Sequence, residues 1–321
     1  MSRPVAATPL LHISEEAVAT LLPPPAEAVA LARRALEALA DGTAELPPKP
    51  AVHPRADGFA NAMPAYLHDG DLLGLKWIAA YPGNASLGLP THNGLVLLSD
   101  ASTGVPTAVL GAGVLTGART AAVSGACIEQ LAPAQPGHVA ITGAGVQART
   151  HLQVLSALGR EKVTVVTRRP QAAAGLESWA RDHAPDVALT CVGTAREAAD
   201  GAAVVVTAVP IGVEGARLER DWLRSDALVL PLDYGTSVGA DIANRSALFA
   251  DDVGQLLRYR DAGAFPGYRD PDGYCGEAIR GPRPDGRVVC QNLGNGAVDL
   301  LFADYVLRSA REAGSGTVLT R

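Results

Sequence analysis

Aromatic residues are scarce, at 4% of the chain, so the core is expected to rely on Ala, Val and Leu rather than on large rings. Cysteine is scarcer still. Cys127, Cys191, Cys275 and Cys290 form no C-x-x-C pair, so their spacing signals neither a zinc site nor a redox dithiol. Reduced thiols in a cytoplasmic setting are the plain reading. An excess of positive charge is also missing. The formal net charge is −6, which makes nucleic acid and anionic membrane unexpected partners. No segment approaches the roughly 18 uninterrupted apolar residues of a membrane helix. The stretch from Met1 to Leu11 has one early Arg and no apolar run before a cleavage site, so it does not read as a signal peptide.

What is present is an ordinary globular balance, 48% hydrophobic and 19% charged over 321 residues. At roughly 150 residues per domain, two domains are expected. In the first third, Ser14-Glu-Glu-Ala caps a short helix, and Pro23-Pro24-Pro25 breaks it. A helix from Ala26 to Ala40 stops at Asp41-Gly42. An extended Pro47-Pro48-Lys49-Pro50 follows, then strand-like pieces at 61–67, 72–80, 94–100 and 106–113. This is an α+β pattern dominated by a sheet. Thr116-Gly-Ala-Arg-Thr is expected to open an Ala-rich helix to about Leu131.

After the breaker-rich 132–137 the pattern changes. Short apolar strands at 138–142, 162–167, 187–192, 202–208 and 228–232 alternate with helices, as parallel βαβ units do. A final helix, 297–313, carries Leu300, Leu301, Ala303, Val306 and Leu307 at spacings of three and four. The fold class expected is α/β, a Rossmann-type doubly wound parallel sheet plus an α+β substrate and dimerisation domain. The expected boundaries are 1–120, joined by a returning 295–321, and 121–294.

One turn carries specific chemistry. Gly143-x-Gly145-Val146-Gln147-Ala148 joins a strand to a helix. The first Gly permits a tight turn, the second lets a pyrophosphate approach the backbone, and the small Ala lets the helix pack on its strand. The second strand ends at Thr167-Arg168-Arg169 with no acid to hold a ribose 2′-hydroxyl. Guanidinium groups there suit a 2′-phosphate. NADP(H) is therefore the expected cofactor, with NAD(H) the alternative. His53 and His92 lack ligand spacing, so no metal is expected.

With Pro48-Lys49-Pro-Ala-Val-His53, Ala62-Met63-Pro64, Gly74-Leu-Lys76-Trp, Tyr81-Pro82-Gly-Asn84, Thr103-Gly-Val-Pro, Leu115-Thr-Gly-Ala-Arg119-Thr120-Ala-Ala and the glycine turn in this order, the chain resembles the ornithine cyclodeaminase/mu-crystallin family. The resemblance covers nearly the whole chain. It implies a homodimer and a small amino-acid-derived substrate. It implies that Lys76 binds the substrate carboxylate or moves a proton, and that Arg119 holds the carboxylate. Lys49 and Met63 join the substrate site, although cyclodeaminases carry Arg where Lys49 stands. Asp233, after the fifth strand, matches a catalytic acid, while Tyr234-Gly-Thr-Ser replaces the family's Pro-Gly-Lys stretch. Asn84, Thr120, Thr207, Val209 and Asn292 match positions near the cofactor.

The leading expectation is an NADPH-dependent oxidoreductase that transfers hydride to the Cα of an imine or α-imino acid. An NAD-dependent cyclodeaminase that releases ammonia is the second reading. A non-catalytic NADPH or small-ligand binder of crystallin type is the third.

Overall fold

In the computed structural model, which describes residues 9–320, the chain divides into two units. The first eight residues of the stretch read as lacking a leader lie outside the described residues. Unit 1 comprises 1–23, 42–116 and 296–321, and unit 2 comprises 24–41 and 117–295. In chain order the strands are β1 (Leu10–Ile13), β2 (Ala44–Glu45), β3 (Ala51–Arg55), β4 (Gly58–Leu67), β5 (Leu72–Ala80), β6 (His92–Asp100), β7 (Pro106–Gly111), β8 (Val139–Thr142), β9 (Lys162–Val166), β10 (Ala188–Val192), β11 (Val204–Thr207), β12 (Leu228–Pro231), β13 (Ala247–Ala250), β14 (Gly273–Tyr274), β15 (Val288–Gln291) and β16 (Thr317–Leu319). The helices are α1 (Glu15–Leu21), α2 (Pro25–Ala40), α3 (Gly113–Leu131), α4 (Val146–Ala157), α5 (Pro170–His183), α6 (Ala195–Ala199), α7 (Ala240–Ala243), α8 (Val253–Asp261), α9 (Cys275–Ala278) and α10 (Gly296–Glu312).

Unit 1 is built on an antiparallel meander, β4 to β7, with β1 parallel to β7 and β16 antiparallel to β1. Alternation along β5 buries Gly74, Lys76, Ile78 and Ala80 and turns Trp77 outward, as the two-residue period of a strand requires. Helix α10 packs on β4, β5 and β6. Its buried stripe includes Leu300, Leu301, Phe302, Val306 and Leu307, so the returning C-terminal segment covers one face of this sheet.

Unit 2 carries a parallel sheet in the order β10-β9-β8-β11-β12-β15-β13-β14. Strands β8, β11, β12 and β15 are buried at every residue, the near-continuous apolar run that helices on both faces demand. The order reverses between β8 and β11, which creates a crevice at their carboxyl ends.

Three expectations change. Helix α2 belongs with unit 2 rather than with the first domain, because Ala28, Val29, Ala32, Leu36 and Leu39 bury its face among α4 and α9. Its first residue is Pro25, which suits a position needing no N–H donor. Helix α3 opens at Gly113, not Thr116. The Glu15 carboxylate accepts the Gly113 and Val114 N–H groups and starts the helix early. The parallel sheet also runs past the fifth expected strand to β13, β14 and β15, segments of only two to four residues.

Candidate active site

The phosphate turn is built as the glycines require. Gly143 follows β8 at φ +103°, and a side chain there would meet the Ala208 carbonyl oxygen at 2.6 Å. An L residue is excluded both by conformation and by space. Gly145 is the N-cap of α4, and open space lies where its side chain would be. No side chain caps α4, so its first N–H groups face that space. Ala148 is fully buried. Val146 is exposed, while the buried Gln147 Oε1 has no partner among the described residues. A Cβ-free turn, an uncapped helix start and an orphaned buried acceptor together fit a dinucleotide.

Arg168 and Arg169 follow β9 with both side chains exposed, and neither forms an ion pair among the described residues. Thr167 is half-buried, and its hydroxyl donates to the Arg169 carbonyl at 3.4 Å. Behind the turn, His151 of α4 lies 2.9 Å from Ser124 of α3 and 2.7 Å from the Gln147 carbonyl. Burial pulls its pKa down to about 4, against a smaller opposing pull from Gln147, so the ring is neutral.

Asp233 lies just beyond β12 and is 1% exposed. Its carboxylate accepts hydrogen bonds from the Thr207 hydroxyl at 3.0 Å, the Ser237 hydroxyl at 2.6 Å and the Ser237 N–H at 3.4 Å. Burial raises its pKa, and these hydrogen bonds oppose the rise. Thr207 is fully buried as a support for Asp233, whereas Val209 beyond it is half-buried. Tyr234 holds φ at 55°, an uncommon conformation for a bulky residue, with its ring near Tyr259 and Phe265. Burial pushes the Tyr234 phenol well above its ordinary range. Sequence reasoning passes over this strained Tyr.

Arg119 is 6% exposed and sits in the second turn of α3 rather than at the helix start. Gly294, at φ +75°, lies against it, since a side chain there would meet the guanidinium at 2.8 Å. Asn292 donates to the Thr120 carbonyl at 3.5 Å and accepts from the Gly294 N–H at 3.0 Å. Asp251, which the sequence does not single out, accepts from the Leu293 and Gly294 N–H groups at 2.8 Å each. It fixes the segment that carries Asn292.

In unit 1, Lys76 is fully buried and its ammonium donates to Asp299 Oδ1 at 2.7 Å, with Asp299 equally buried. Asp299 sits in the first turn of α10, where a carboxylate also complements the helix dipole. Sequence reasoning misses Asp299. The signal available was an acid on the buried stripe of an apolar helix, which requires a cation opposite. Met63 faces Lys76 across the β4–β5 ladder and is itself buried. Lys49, which precedes β3, is 7% exposed, so it is no solvated linker residue. The Asn84 amide donates to the Pro90 carbonyl at 2.9 Å and closes the 82–90 loop.

The expected absence of a metal-type cluster meets a counter-observation. Cys127, Cys275 and Cys290 converge in unit 2, with sulfurs all within 4.8 Å of one another. Spacing along the chain hides this because α3, α9 and β15 supply one thiol each. No described helix is long and apolar enough to cross a membrane.

Comparison with known proteins matches this architecture. The family profile of the ornithine cyclodeaminase/mu-crystallin family matches residues 15–256. The nodulation efficiency protein NfeD of Rhizobium meliloti is 33% identical over 322 residues, covering 97% of this chain and 99% of that protein. The ketimine reductase mu-crystallin of Mus musculus is 30% identical over 265 residues, covering 78% of this chain and 80% of its own. The structure of Thermococcus litoralis Δ1-pyrroline-2-carboxylate reductase in complex with NADH and L-proline aligns with a TM-score of 0.83 at 25% identity, over 96% of this chain and 100% of that one. The chain is an NAD(P)-dependent oxidoreductase acting on C–N bonds. On this evidence it belongs to the ornithine cyclodeaminase/mu-crystallin family.

Proposed function

We propose that the chain is an NADPH-dependent imine reductase that converts a cyclic imine or α-imino acid to the amine. The observation that carries this reading is that one chain holds both a built dinucleotide turn, in unit 2, and a lysine buried against an aspartate, in unit 1. When bound, the nicotinamide supplies the hydride. Gly143, Gly145, Val146, Gln147 and the start of α4 hold the pyrophosphate, with Thr120, Thr207, Val209, Asn292 and Asn84 completing the cofactor's surroundings. The exposed Arg168 and Arg169, beside Thr167, hold the 2′-phosphate. An exposed guanidinium pair that forms no ion pair among the described residues supports this part of the reading.

Lys76 binds the substrate carboxylate or delivers the proton that the imine nitrogen needs once its carbon accepts hydride. Asp299 keeps the ammonium oriented until then. Arg119 is the carboxylate clamp, and Lys49 and Met63 complete the substrate wall. Asp233 holds the turn beyond β12 through Thr207 and Ser237. Its engaged oxygens favour Lys76 over Asp233 as the proton carrier.

The outer face of the unit 1 sheet supports a homodimer. Trp77 pairs with Leu95 and Leu75 with Leu97 on that face, and Trp77 and Leu95 are 44% and 48% exposed. Reduced thiols fit a cytoplasmic location.

The test is NADPH oxidation by purified protein against a panel of cyclic imine carboxylates, with ammonia assayed in parallel on ornithine and lysine. The expected result is one NADPH consumed per amine formed. Ammonia release from a diamino acid with no net NADPH consumption would replace this reading with a cyclodeaminase.

A further inference from the structure

Four cysteines are spread over 321 residues, yet three of them meet at one point in the core of unit 2. Cys127 comes from α3, Cys275 from the start of α9 and Cys290 from β15. Each is 1% exposed. Their sulfurs lie within 4.8 Å of one another, and no His, Asp or Glu of the described residues joins them. The fourth thiol, Cys191 on β10, stands apart and is half-buried.

We propose that Cys127, Cys275 and Cys290 form a buried three-thiolate site for a single soft d10 metal ion. The geometry is close to what such an ion needs. Metal–sulfur bonds of about 2.3 Å in a trigonal plane put the sulfurs about 4 Å apart. Small side-chain adjustments reach that spacing from the separations present. A disulfide would draw two sulfurs to about 2 Å and leave the third unpaired.

The ligand set selects the ion. Thiolates favour soft ions such as Cu(I) over hard oxygen-seeking ones. Structural zinc sites are almost always four-coordinate, and no fourth protein ligand is supplied here. Three sulfurs alone therefore suit ions content with three ligands, the Cu(I) and Cd(II) class. Each metal–sulfur bond replaces an S–H bond where the thiol is protonated. The proton leaves to solvent, and no electron is transferred.

The ligands tie α3 to β15 and α9, so a bound ion is structural and stabilises unit 2 by mass action. Nothing in the proposed reduction uses it, so the site stands or falls independently of the imine-reductase reading.

The experiment is an anaerobic titration of reduced full-length protein with Cd(II) and, separately, with chelator-buffered Cu(I). It is run on native protein and after refolding with the metal present, because buried thiols load slowly. The expected result is one equivalent bound, with a thiolate-to-metal charge-transfer band in the ultraviolet. The band disappears in Cys290→Ala and Cys127→Ala and persists in Cys191→Ala. Circular dichroism checks that each variant folds. In the unsubstituted protein, mass spectrometry after alkylation of the loaded form is expected to show Cys191 modified and the other three protected. Absence of the band in both loading protocols would overturn the proposal. So would its loss in Cys191→Ala, or isolation of two of the clustered thiols as a disulfide.

Discussion

The two units solve their functional problems with different material. Unit 2 makes its proposed anion site from backbone: a glycine at φ +103° packed on the Ala208 carbonyl and an uncapped helix start. Unit 1 places a side-chain ion pair in a dry interior, Lys76 on Asp299, both fully buried. Backbone sites need only the right residues in order, and they tolerate solvent. A buried ion pair is expensive to desolvate and is poor evidence for stability by itself. The proposed catalytic role gives the pair a chemical use that its stability contribution does not.

The sharpest way to break this contrast is Lys76→Met. It leaves Asp299 buried without its ammonium, so unfolding free energy should fall by about 3–5 kcal/mol. Steady-state turnover should fall by about 10²–10⁴-fold. The double change Lys76→Met with Asp299→Leu removes both charges and should recover most of the stability but none of the turnover. Full activity in either variant would make the pair merely structural.

Next in size is a pH effect confined to unit 2. His151 has an ordinary pKa of 6.5, depressed by burial to about 4. The unfolded chain takes up a proton here before the folded one does. Stability tied to the neutral ring is therefore full above about pH 6.5 and is lost as pH falls toward about 4. At 1.36 kcal/mol per unit this amounts to about 3 kcal/mol. Denaturant titrations at pH 7.5 and 4.5 should show that loss, and His151→Gln should remove most of it. An unchanged pH slope in the variant would contradict the assignment.

A smaller effect is expected from Gly143→Ala. The added methyl faces the Ala208 oxygen in a backbone conformation L residues avoid, at a cost of about 1–3 kcal/mol. Nucleotide affinity should fall about tenfold or more by calorimetry, while the Lys76–Asp299 pair is untouched. The smallest effect is on cofactor choice. Arg168→Ala with Arg169→Ala should weaken NADPH about tenfold and leave NADH nearly unchanged, since both guanidinium groups are solvent-screened. Equal weakening of both cofactors would remove these arginines from the 2′-phosphate role.

What was legible in the sequence follows the same divide. The Gly143–Ala148 turn could be read because its physics lies within six adjacent residues. The alternating strands and helices announced the parallel sheet, although β13 and β15, four residues each, were too short to stand out. Asp299 was hidden because its partner lies 223 residues away. The three-cysteine cluster was hidden for the same reason. Arg119 falls in the second turn of α3 rather than at its start because the helix begins where Glu15, far away in sequence, accepts the Gly113 N–H. Long-range pairs of buried polar groups are what one sequence leaves unwritten.

The division of labour between the units has one direct test. The Lys76→Met/Asp299→Leu double variant is titrated with NADPH by fluorescence beside the unsubstituted protein, and turnover is measured on the same samples. The account expects a dissociation constant within about twofold of the original, with turnover abolished. A dissociation constant that weakens in step with turnover would contradict it, by showing that the buried pair serves cofactor binding rather than the chemistry of the substrate.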